Sequence, residues 1–216
     1  MSLLSYIFPQ TIAHFSTKYN KDIRLNEEYG RYKLLVNGSR QSGAYIEMLW
    51  EKAFGSFGIL PNVPVHKILV LGVAGGSVIH ILHRMFPKAS IQGVDIDQKM
   101  IDIGASYFGL KKIHNFTVDC QDAENYIVKA LRRKEKYDLV VVDLFSGSII
   151  PDFVREKSFL SALKQLLTQR GFIIINYLQE FEYMKFSQDL DSKLQSVFSH
   201  NKSFSIKRNR FFFSLL

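Results

Sequence analysis

Cysteine is almost absent from this sequence: Cys120 is the single cysteine among 216 residues, so no disulfide can form within the chain. Its place at the end of an apolar run predicts a small buried side chain rather than a reactive thiol. Low cysteine use is typical of reducing compartments, and we therefore expect a cytoplasmic protein.

Long hydrophobic runs are also missing. No stretch approaches the roughly eighteen consecutive apolar residues that a membrane-spanning helix needs. The N-terminal stretch, MSLLSYIFPQTIAHF, lacks the basic start and the small-residue cleavage site of a signal peptide. We expect a soluble protein with no membrane partner.

Acidic residues are outnumbered, with 20 Asp and Glu against 28 Lys and Arg, which gives a formal charge of +8 and a pI near 9.5. Such an excess favours anionic partners such as nucleic acids. The basic residues are scattered, however, and their short concentrations at 111–112, 132–136 and 207–210 lie where loops or helix ends are predicted. Solvated surface is the favoured interpretation, and no nucleic-acid partner is expected.

The length and the 47% hydrophobic content fit one main domain and a smaller appendage. Residues 22–37 predict two short strands around a turn, and the helical spacing of residues 44–54 predicts a helix. Glycines and prolines interrupt the chain before the first apolar strand. We predict an N-terminal β-hairpin unit with a linking helix at 1–60 and a main domain at 61–216.

From residue 67 onward, short apolar strands alternate with amphipathic helices, which is the pattern of a parallel sheet covered on both faces. The last two β-rich runs, SFSIKR and RFFFSLL, predict a hairpin and an antiparallel last strand. The predicted fold class is α/β. The strands are predicted at 68–72, 90–97, 115–120, 137–143 and 172–178, and the helices at 77–86, 98–108, 123–134, 156–169 and 182–198.

The run ILVLGVAGGS, residues 68–77, joins a buried strand to a helix through a turn of small residues. Gly72, Gly75 and Gly76 let backbone N–H groups approach a ligand, and the start of the helix favours negative charge. A dehydrogenase-type dinucleotide site needs the pattern G-x-G-x-x-G, but Ala74 and Ser77 occupy its second and third glycine positions. The turn is therefore compatible with a ligand site that is not of the dehydrogenase type.

An acidic residue ends each of the next three strands, where ligands of open α/β sheets bind. Asp95 lies where a carboxylate accepts ribose hydroxyls, and Asp97 is better placed to cap the next helix. Asp122 fits either an adenine amino group or a helix cap. Asp143 follows so apolar a strand that its carboxylate needs partners or has a shifted pKa, so it is our first candidate for a chemical role.

With these acids placed, the chain resembles the class I S-adenosylmethionine-dependent methyltransferase fold and, within it, the spermidine synthase-like group of polyamine aminopropyltransferases. The resemblance covers nearly the whole chain and is carried by YIEML at 45–49, the glycine turn, GVDID at 93–97, CQDAENYI at 120–127 and DLFSGSIIP at 143–151. It implies a Rossmann-like, seven-stranded sheet in the order 3-2-1-4-5-7-6 with an antiparallel last strand. It also implies a homodimer, because related enzymes associate partly through their N-terminal β units.

The resemblance assigns site residues by position and implies S-adenosylmethionine or its decarboxylated form as cofactor, with no metal. The residues implied to bind the cofactor are Gly72, Ala74, Gly75, Gly76, Asp95, Asp122, Ala123 and Asp143. The implied catalytic residues are Asp143 and Tyr45, and the implied acceptor pocket consists of Gln41, Tyr45, Ser146 and Tyr177.

Three departures from the group bear on function. Gly75 stands where aminopropyltransferases usually carry an Asp that binds the amine of the decarboxylated cofactor. The sequence from Asp143 to Ser146 reads D-L-F-S where the group has D-S-S-D, and Ile46 replaces a His or Gln. An alkylammonium with a pKa near 10.4 must be held and deprotonated by carboxylates, so these losses disfavour a diamine acceptor. An Asp at position 75 would also repel the carboxylate of intact S-adenosylmethionine, so Gly75 favours the intact cofactor.

These observations leave several functions open. The first is an S-adenosylmethionine-dependent transferase that methylates a small-molecule acceptor such as an amine. The second is a polyamine aminopropyltransferase in which Ser146, Glu180 or Glu182 replaces the missing acid. The third is a binding protein that keeps the nucleoside pocket without turnover. A nucleic-acid methyltransferase is disfavoured, because DLFSG does not match the Asn/Asp-Pro-Pro-aromatic motif of base-amino methylases.

Overall fold

The computed structural model describes residues 3–61 and 63–216. A short 3-10 helix, Leu3–Tyr6, precedes an antiparallel sheet in which four strands lie in sequence order. Two of these strands match the predicted pair, whereas the first and the last were not foreseen. The four strands are β1 (Gln10–Phe15), β2 (Ile23–Glu28), β3 (Arg31–Val36) and β4 (Ser39–Ser42).

Two tight turns set the register of this N-terminal sheet. Glu28 pairs with Arg31 across Tyr29 and Gly30, and Val36 pairs with Ser39 across the next two-residue turn. Residues in both turns have positive φ angles, which match the right-handed twist of the flanking strands. The second turn is the Asn-Gly sequence that is typical of such hairpins, and it brings β4 towards the main domain.

Helix α1 (Ala44–Ser56) leads into the main domain, as its helical spacing predicted. The main sheet has seven strands in the order β10-β11-β9-β8-β5-β6-β7, in which the hairpin strands pair antiparallel and the others parallel. The predicted α/β fold, its strand order and its closing hairpin are confirmed. The elements are β5 (Lys67–Leu71), α2 (Ser77–Met85), β6 (Ser90–Asp95), α3 (Gln98–Tyr107), β7 (Phe116–Cys120), α4 (Ala123–Arg132), β8 (Tyr137–Val142), α5 (Lys157–Gln165), β9 (Leu167–Leu178), α6 (Tyr183–Val197), β10 (His200–Ile206) and β11 (Asn209–Leu215).

The apolar core lies on both faces of the main sheet. Leu69 and Leu71 of β5 pack with residues of α4, α5 and α6, whereas Ile68 and Val70 pack on the opposite face with residues of α1 and α2. This alternation is the period of two expected for a strand that is buried on both sides. A third cluster joins β2 and β3 of the N-terminal sheet to α3, so the small sheet is stabilised by packing on the main domain.

Two details differ from the sequence predictions. Strand β9 begins at Leu167, inside the predicted helix 156–169, because Leu163, Leu166 and Leu167 continue a helical spacing past the end of α5. Cys120 is exposed rather than buried, because it ends β7, which is an edge strand of the sheet. Its apolar surroundings in sequence therefore gave a wrong prediction of burial.

Gly72 determines how closely the ends of β5 and β8 approach each other. Its φ is +90°, and a Cβ at this position would lie 2.1 Å from the main-chain oxygen of Asp143. The amide of Asp143 donates to the Leu71 oxygen at 2.8 Å, so the neighbouring backbone is held in place. A side chain at position 72 would have to separate the two strand ends.

Gly72→Ala is therefore expected to lower the free energy of unfolding by about 3 kcal/mol, through backbone strain and overpacking. Gly55→Ala is the matched control, because a Cβ there would meet nothing within 4 Å in helix α1. The control is expected to be neutral or to stabilise by about 0.5 kcal/mol. Urea unfolding measures both values, and equal midpoints for the two variants would contradict the role given to Gly72.

Candidate active site

A cavity of about 760 Å³ opens at the carboxyl ends of the central parallel strands. This is the edge of an open α/β sheet at which ligands bind, and the volume suits a nucleoside-sized molecule. Its walls come from the loops after β5, β6, β7 and β8, from the end of β9 with the β10–β11 turn, and from the N-terminal region of the same chain. Asp95, Asp122 and Asp143 all line it, so the three predicted strand-end acids lie together.

Asp95 organises the glycine turn. Its Oδ2 accepts hydrogen bonds from the backbone N–H groups of Val73 and Ala74, each at 3.0 Å. Its Oδ1 accepts from the N–H of Asp97 at 3.0 Å. Burial raises the pKa of Asp95, and these three backbone donors oppose the rise. The carboxylate thus fixes the turn while it lies in the wall of the cavity.

The glycine turn divides into a part that faces the cavity and a part behind it. Gly72 and Ala74 line the cavity, whereas Gly75 and Gly76 are not among its lining residues. A Cβ on Gly75 would lie 2.6 Å from Oγ of Ser42, and this hydroxyl accepts the Gly75 N–H at 2.8 Å. The side of Gly75 on which an Asp would project is therefore filled by strand β4.

Asp122 and Ala123 line the cavity at the end of β7, next to Asp95 in the sheet order. One carboxylate oxygen of Asp122 accepts the N–H of Asn125 at 3.0 Å and caps helix α4. Capping uses one oxygen, so the other remains available to a ligand in the cavity. Asp97 caps helix α3, as its position predicted.

Asp143 lies between two side chains that donate to it. Nδ2 of Asn176 donates to one carboxylate oxygen at 2.8 Å, and Nε1 of Trp50 donates to the other at 3.2 Å. Asn176 is itself oriented by Nδ2 of Asn209, which donates to its Oδ1 at 2.8 Å. Burial raises the pKa of Asp143 to about 6, although both hydrogen bonds favour the carboxylate form.

Sequence reasoning missed the partners of Asp143. Trp50 is fully buried, and its indole N–H also donates to Asp143, a role that no sequence pattern indicated. Asn176 is the one polar side chain in the apolar run FIIINYL, and that isolated polar residue was the available signal. The expected pocket residue Tyr177 is 1% exposed and packs against Tyr183 in the core. Adjacent strand residues face opposite sides, so Asn176 faces the cavity and Tyr177 does not.

The other predicted pocket residues line the cavity from the same chain. Gln41 and Tyr45 come from β4 and α1, and Ser146 comes from the loop after β8. Nε2 of Gln41 donates to the Gly147 oxygen at 2.7 Å, and this bond ties the N-terminal sheet to that loop. The acids proposed as substitutes, Glu180 and Glu182, are not among the lining residues.

The segment before β2 crosses the cavity and is held at both rims. The side chains of Thr17 and Asn20 donate to Oδ2 of Asp97 at 2.6 and 2.7 Å. On the opposite rim, the hydroxyl of Ser146 donates to the Tyr19 oxygen and to Oδ1 of Asn20, each at 3.2 Å. Tyr19 and Asn20 both line the cavity, so the same chain provides the strand-end residues on one side and this segment on the other.

Within residues 3–61 and 63–216, no helix is long and apolar enough to cross a membrane. Over the same part of the chain, the His, Cys, Asp and Glu side chains form no group of three or more that could hold a metal ion.

Comparison of the sequence with known families matches residues 47–208 to the spermine/spermidine synthase domain. The polyamine aminopropyltransferase of Vibrio vulnificus is 33% identical over 162 residues, which cover 74% of this chain and 53% of that protein. The human eEF1A lysine and N-terminal methyltransferase is 32% identical over 127 residues, which cover 55% of this chain and 18% of that protein. The chain thus spans about half of the bacterial relative and less than a fifth of the human one.

Solved structures of both kinds of enzyme have this fold. Human methyltransferase-like protein 13 in complex with SAH superposes with a TM-score of 0.64 and 28% identity, covering 74% of this chain and 75% of that one. A spermidine synthase in complex with the transition-state analogue AdoDATO superposes with a TM-score of 0.75 and 13% identity, covering 95% of this chain and 72% of that one. At 13% identity the second likeness concerns the fold alone.

The contact between Trp50 and Asp143 gives a direct optical probe, because the chain contains a single tryptophan. With its pKa raised to about 6, Asp143 is ionised at neutral pH and becomes protonated as the pH falls through 6. Tryptophan emission is expected to change with a midpoint near pH 6. Asn176→Leu removes a hydrogen bond that lowers the pKa and is expected to move the midpoint upward.

Asp143→Asn is the control for this titration, because it keeps the shape and removes the titrating group. Its emission is expected to show no transition near pH 6. An unchanged transition in Asp143→Asn would assign the signal to another group and contradict the pKa of Asp143.

Proposed function

Because the chain belongs to the spermine/spermidine synthase domain family, we propose that it is an S-adenosylmethionine-dependent transferase in which Asp143 is the base. Methyl transfer is favoured over aminopropyl transfer. The observation that carries the proposal is the position of Asp143: it is held by Trp50 and Asn176 in the cavity that Asp95 and Asp122 also line.

The residues present fit the cofactor. Asp95 and Asp122 offer carboxylate oxygens on neighbouring strand ends, where a ribose and an adenine amino group need acceptors. Gly72 and Ala74 leave the backbone of the turn exposed to the cavity. The bound cofactor supplies a carbon activated by a sulfonium group. The remaining work of the protein is to position a nucleophile and take its proton.

Asp143 suits the role of proton acceptor. Its two donors fix the direction of the carboxylate, and a pKa of about 6 leaves most of it ionised at neutral pH. A base with a pKa near the working pH combines availability with proton affinity. Tyr45 and Ser146 lie around the same cavity and would position the acceptor.

Two features favour the intact cofactor over the decarboxylated one. Gly75 carries no carboxylate, and Ser42 fills the space that an Asp side chain would enter. The absence of a negative charge removes repulsion against the cofactor's own carboxylate. The loop after β8 also offers no second acid, since Leu144, Phe145 and Ser146 follow Asp143. A diammonium acceptor would have one carboxylate where the resemblance leads us to expect two.

Aminopropyl transfer is the second candidate, supported by the 33% identity with the Vibrio vulnificus polyamine aminopropyltransferase. Methyl transfer has the support of human methyltransferase-like protein 13, whose structure with SAH is 28% identical to this chain. The two reactions differ in their cofactors and products. Release of methylthioadenosine from decarboxylated S-adenosylmethionine and putrescine would therefore decide for the second candidate.

Calorimetric titration with intact and decarboxylated S-adenosylmethionine tests the preferred function. The intact cofactor is expected to bind at least as tightly as the decarboxylated one. The double variant Ser42→Gly, Gly75→Asp makes room for a carboxylate and is expected to weaken binding of the intact cofactor about tenfold through like-charge repulsion.

Ser42→Gly alone is the matched control, because it opens the same space without adding charge. It is expected to keep the wild-type preference. Preference of the wild-type protein for the decarboxylated cofactor would contradict methyl transfer, and no binding of either cofactor would contradict the transferase itself.

We also propose that the protein is a homodimer. Leu3, Ile7 and Phe8 are 86%, 78% and 52% exposed, and they directly precede β1, the edge strand of the N-terminal sheet. Contiguous exposed apolar side chains mark association surfaces. Light scattering on the purified protein measures its mass in solution, and Ile7→Lys is expected to shift a dimer towards monomer. A monomeric wild-type protein would contradict this proposal.

A further inference from the structure

The charge of the cavity differs between its two ends. We use the term acceptor half for the lining residues contributed by β4 with its preceding turn, the start of α1, the loop after β8, the end of β9 and the β10–β11 turn. The charged side chains of this half are Asp143, Arg40 and Arg208. When Asp143 is ionised, the acceptor half therefore has one positive charge in excess.

Arg40 differs from Arg208 in having no ion-pair partner among the described residues. Its guanidinium carbon lies over the ring of Tyr45, 5.0 Å from the ring centroid, which is within cation–π distance. Within the part of the chain that the structure describes, no carboxylate lies within ion-pair distance of Arg40. Its N–H donors form a planar fork that matches a carboxylate.

Arg208 occupies the turn between β10 and β11 and lines the cavity next to Asn209. It already forms an ion pair with Glu180, which does not itself line the cavity. Glu180 therefore neutralises part of the charge of Arg208 from a position outside the cavity. Arg208 adds positive potential to the acceptor half, while Arg40 has the free donors.

This arrangement opposes a dicationic acceptor. An acceptor with ammonium groups at both ends would place one of them near Asp143 and leave the other among the two guanidinium groups of the same half. Like charges repel, and this repulsion acts together with the lack, among the described residues, of a carboxylate beside Arg40, although both guanidinium groups are exposed and water screens part of it. A molecule with a carboxylate at the far end has the opposite interaction.

We propose that the acceptor is a small molecule carrying a carboxylate, which Arg40 binds with support from Arg208 while the nucleophile lies at Asp143. This inference rests on the proposed transferase function and adds the substrate class. Arg40 acts as a specificity-determining residue and takes no part in proton transfer.

The experiment compares two four-carbon probes that differ at one end. 4-Aminobutyrate carries an amine and a carboxylate, and 1,4-diaminobutane carries two amines. Their dissociation constants are measured by Trp50 fluorescence, with and without S-adenosylhomocysteine. We expect the wild-type protein to bind 4-aminobutyrate roughly tenfold more tightly or better, the factor typical of a charge-assisted hydrogen bond. Arg40→Gln is expected to remove most of this preference.

Two further variants sharpen the result. Arg208→Gln is expected to reduce the preference less than Arg40→Gln, because Glu180 already pairs with Arg208. Arg132→Gln is the charge-matched control: this exposed arginine ends helix α4 and does not line the cavity. It is expected to leave the preference for 4-aminobutyrate unchanged. A loss of preference as large as that of Arg40→Gln would show that the preference comes from the net charge of the protein and not from Arg40.

Several outcomes overturn the proposal. Equal or tighter binding of 1,4-diaminobutane does so, as does no saturable binding of 4-aminobutyrate. A third outcome is that Arg40→Gln weakens binding of S-adenosylmethionine but not of methylthioadenosine, which lacks the carboxylate. That result would assign Arg40 to the cofactor instead of the acceptor. Failure of the nucleosides to bind counts against the transferase function alone, because the probe preference is also measured without them.

Discussion

The wall that the segment before β2 forms over the cavity depends on one buried carboxylate of the main domain. Asp97 is 3% exposed, caps helix α3, and accepts hydrogen bonds from both Thr17 and Asn20. A buried charge with this many donors has a geometry that is costly to change, since each lost donor leaves part of the charge unsatisfied. The apolar cluster between β2, β3 and α3 stabilises the contact between the two parts of the chain, but the hydrophobic effect does not fix their orientation. The hydrogen bonds to Asp97 are directional, and they hold residues 17–20 over the open edge of the main sheet.

Close backbone approach completes the site beneath this segment. Gly72 brings the end of β5 against Asp143, and Asp95 holds the turn through the N–H groups of Val73 and Ala74. These contacts hold the carboxylate of Asp143 in a buried position, and burial raises its pKa. The neighbouring backbone is fixed, and Trp50 and Asn176 each donate to one of the two carboxylate oxygens of Asp143. The raised pKa is thus a consequence of the enclosure that the site requires.

The sequence was sufficient for features set by local pattern. The alternation of apolar strands and helices predicted the main domain, and the strand-end acids Asp95, Asp122 and Asp143 were correctly expected at one edge. Features set by tertiary contact were not accessible. The indole of Trp50 reaches Asp143 across 93 positions of sequence, and nothing local distinguishes it from a core tryptophan. Tyr177 was chosen over its neighbour Asn176 because the strand's facing direction depends on its register in the sheet.

Strand β4 connects the individual departures from the aminopropyltransferase pattern into one structural change. Its four residues include Arg40, which adds a cation, Gln41, which binds the loop after β8, and Ser42, which occupies the space beside Gly75. An Asp at position 75 is sterically incompatible with Ser42 in this position. Glycine at position 75 and close packing of β4 are therefore parts of the same arrangement, because the packing leaves no space for a side chain there. That packing also carries Arg40 towards the cavity, so the same four-residue strand excludes a side chain at position 75 and supplies a positive charge to the cavity wall.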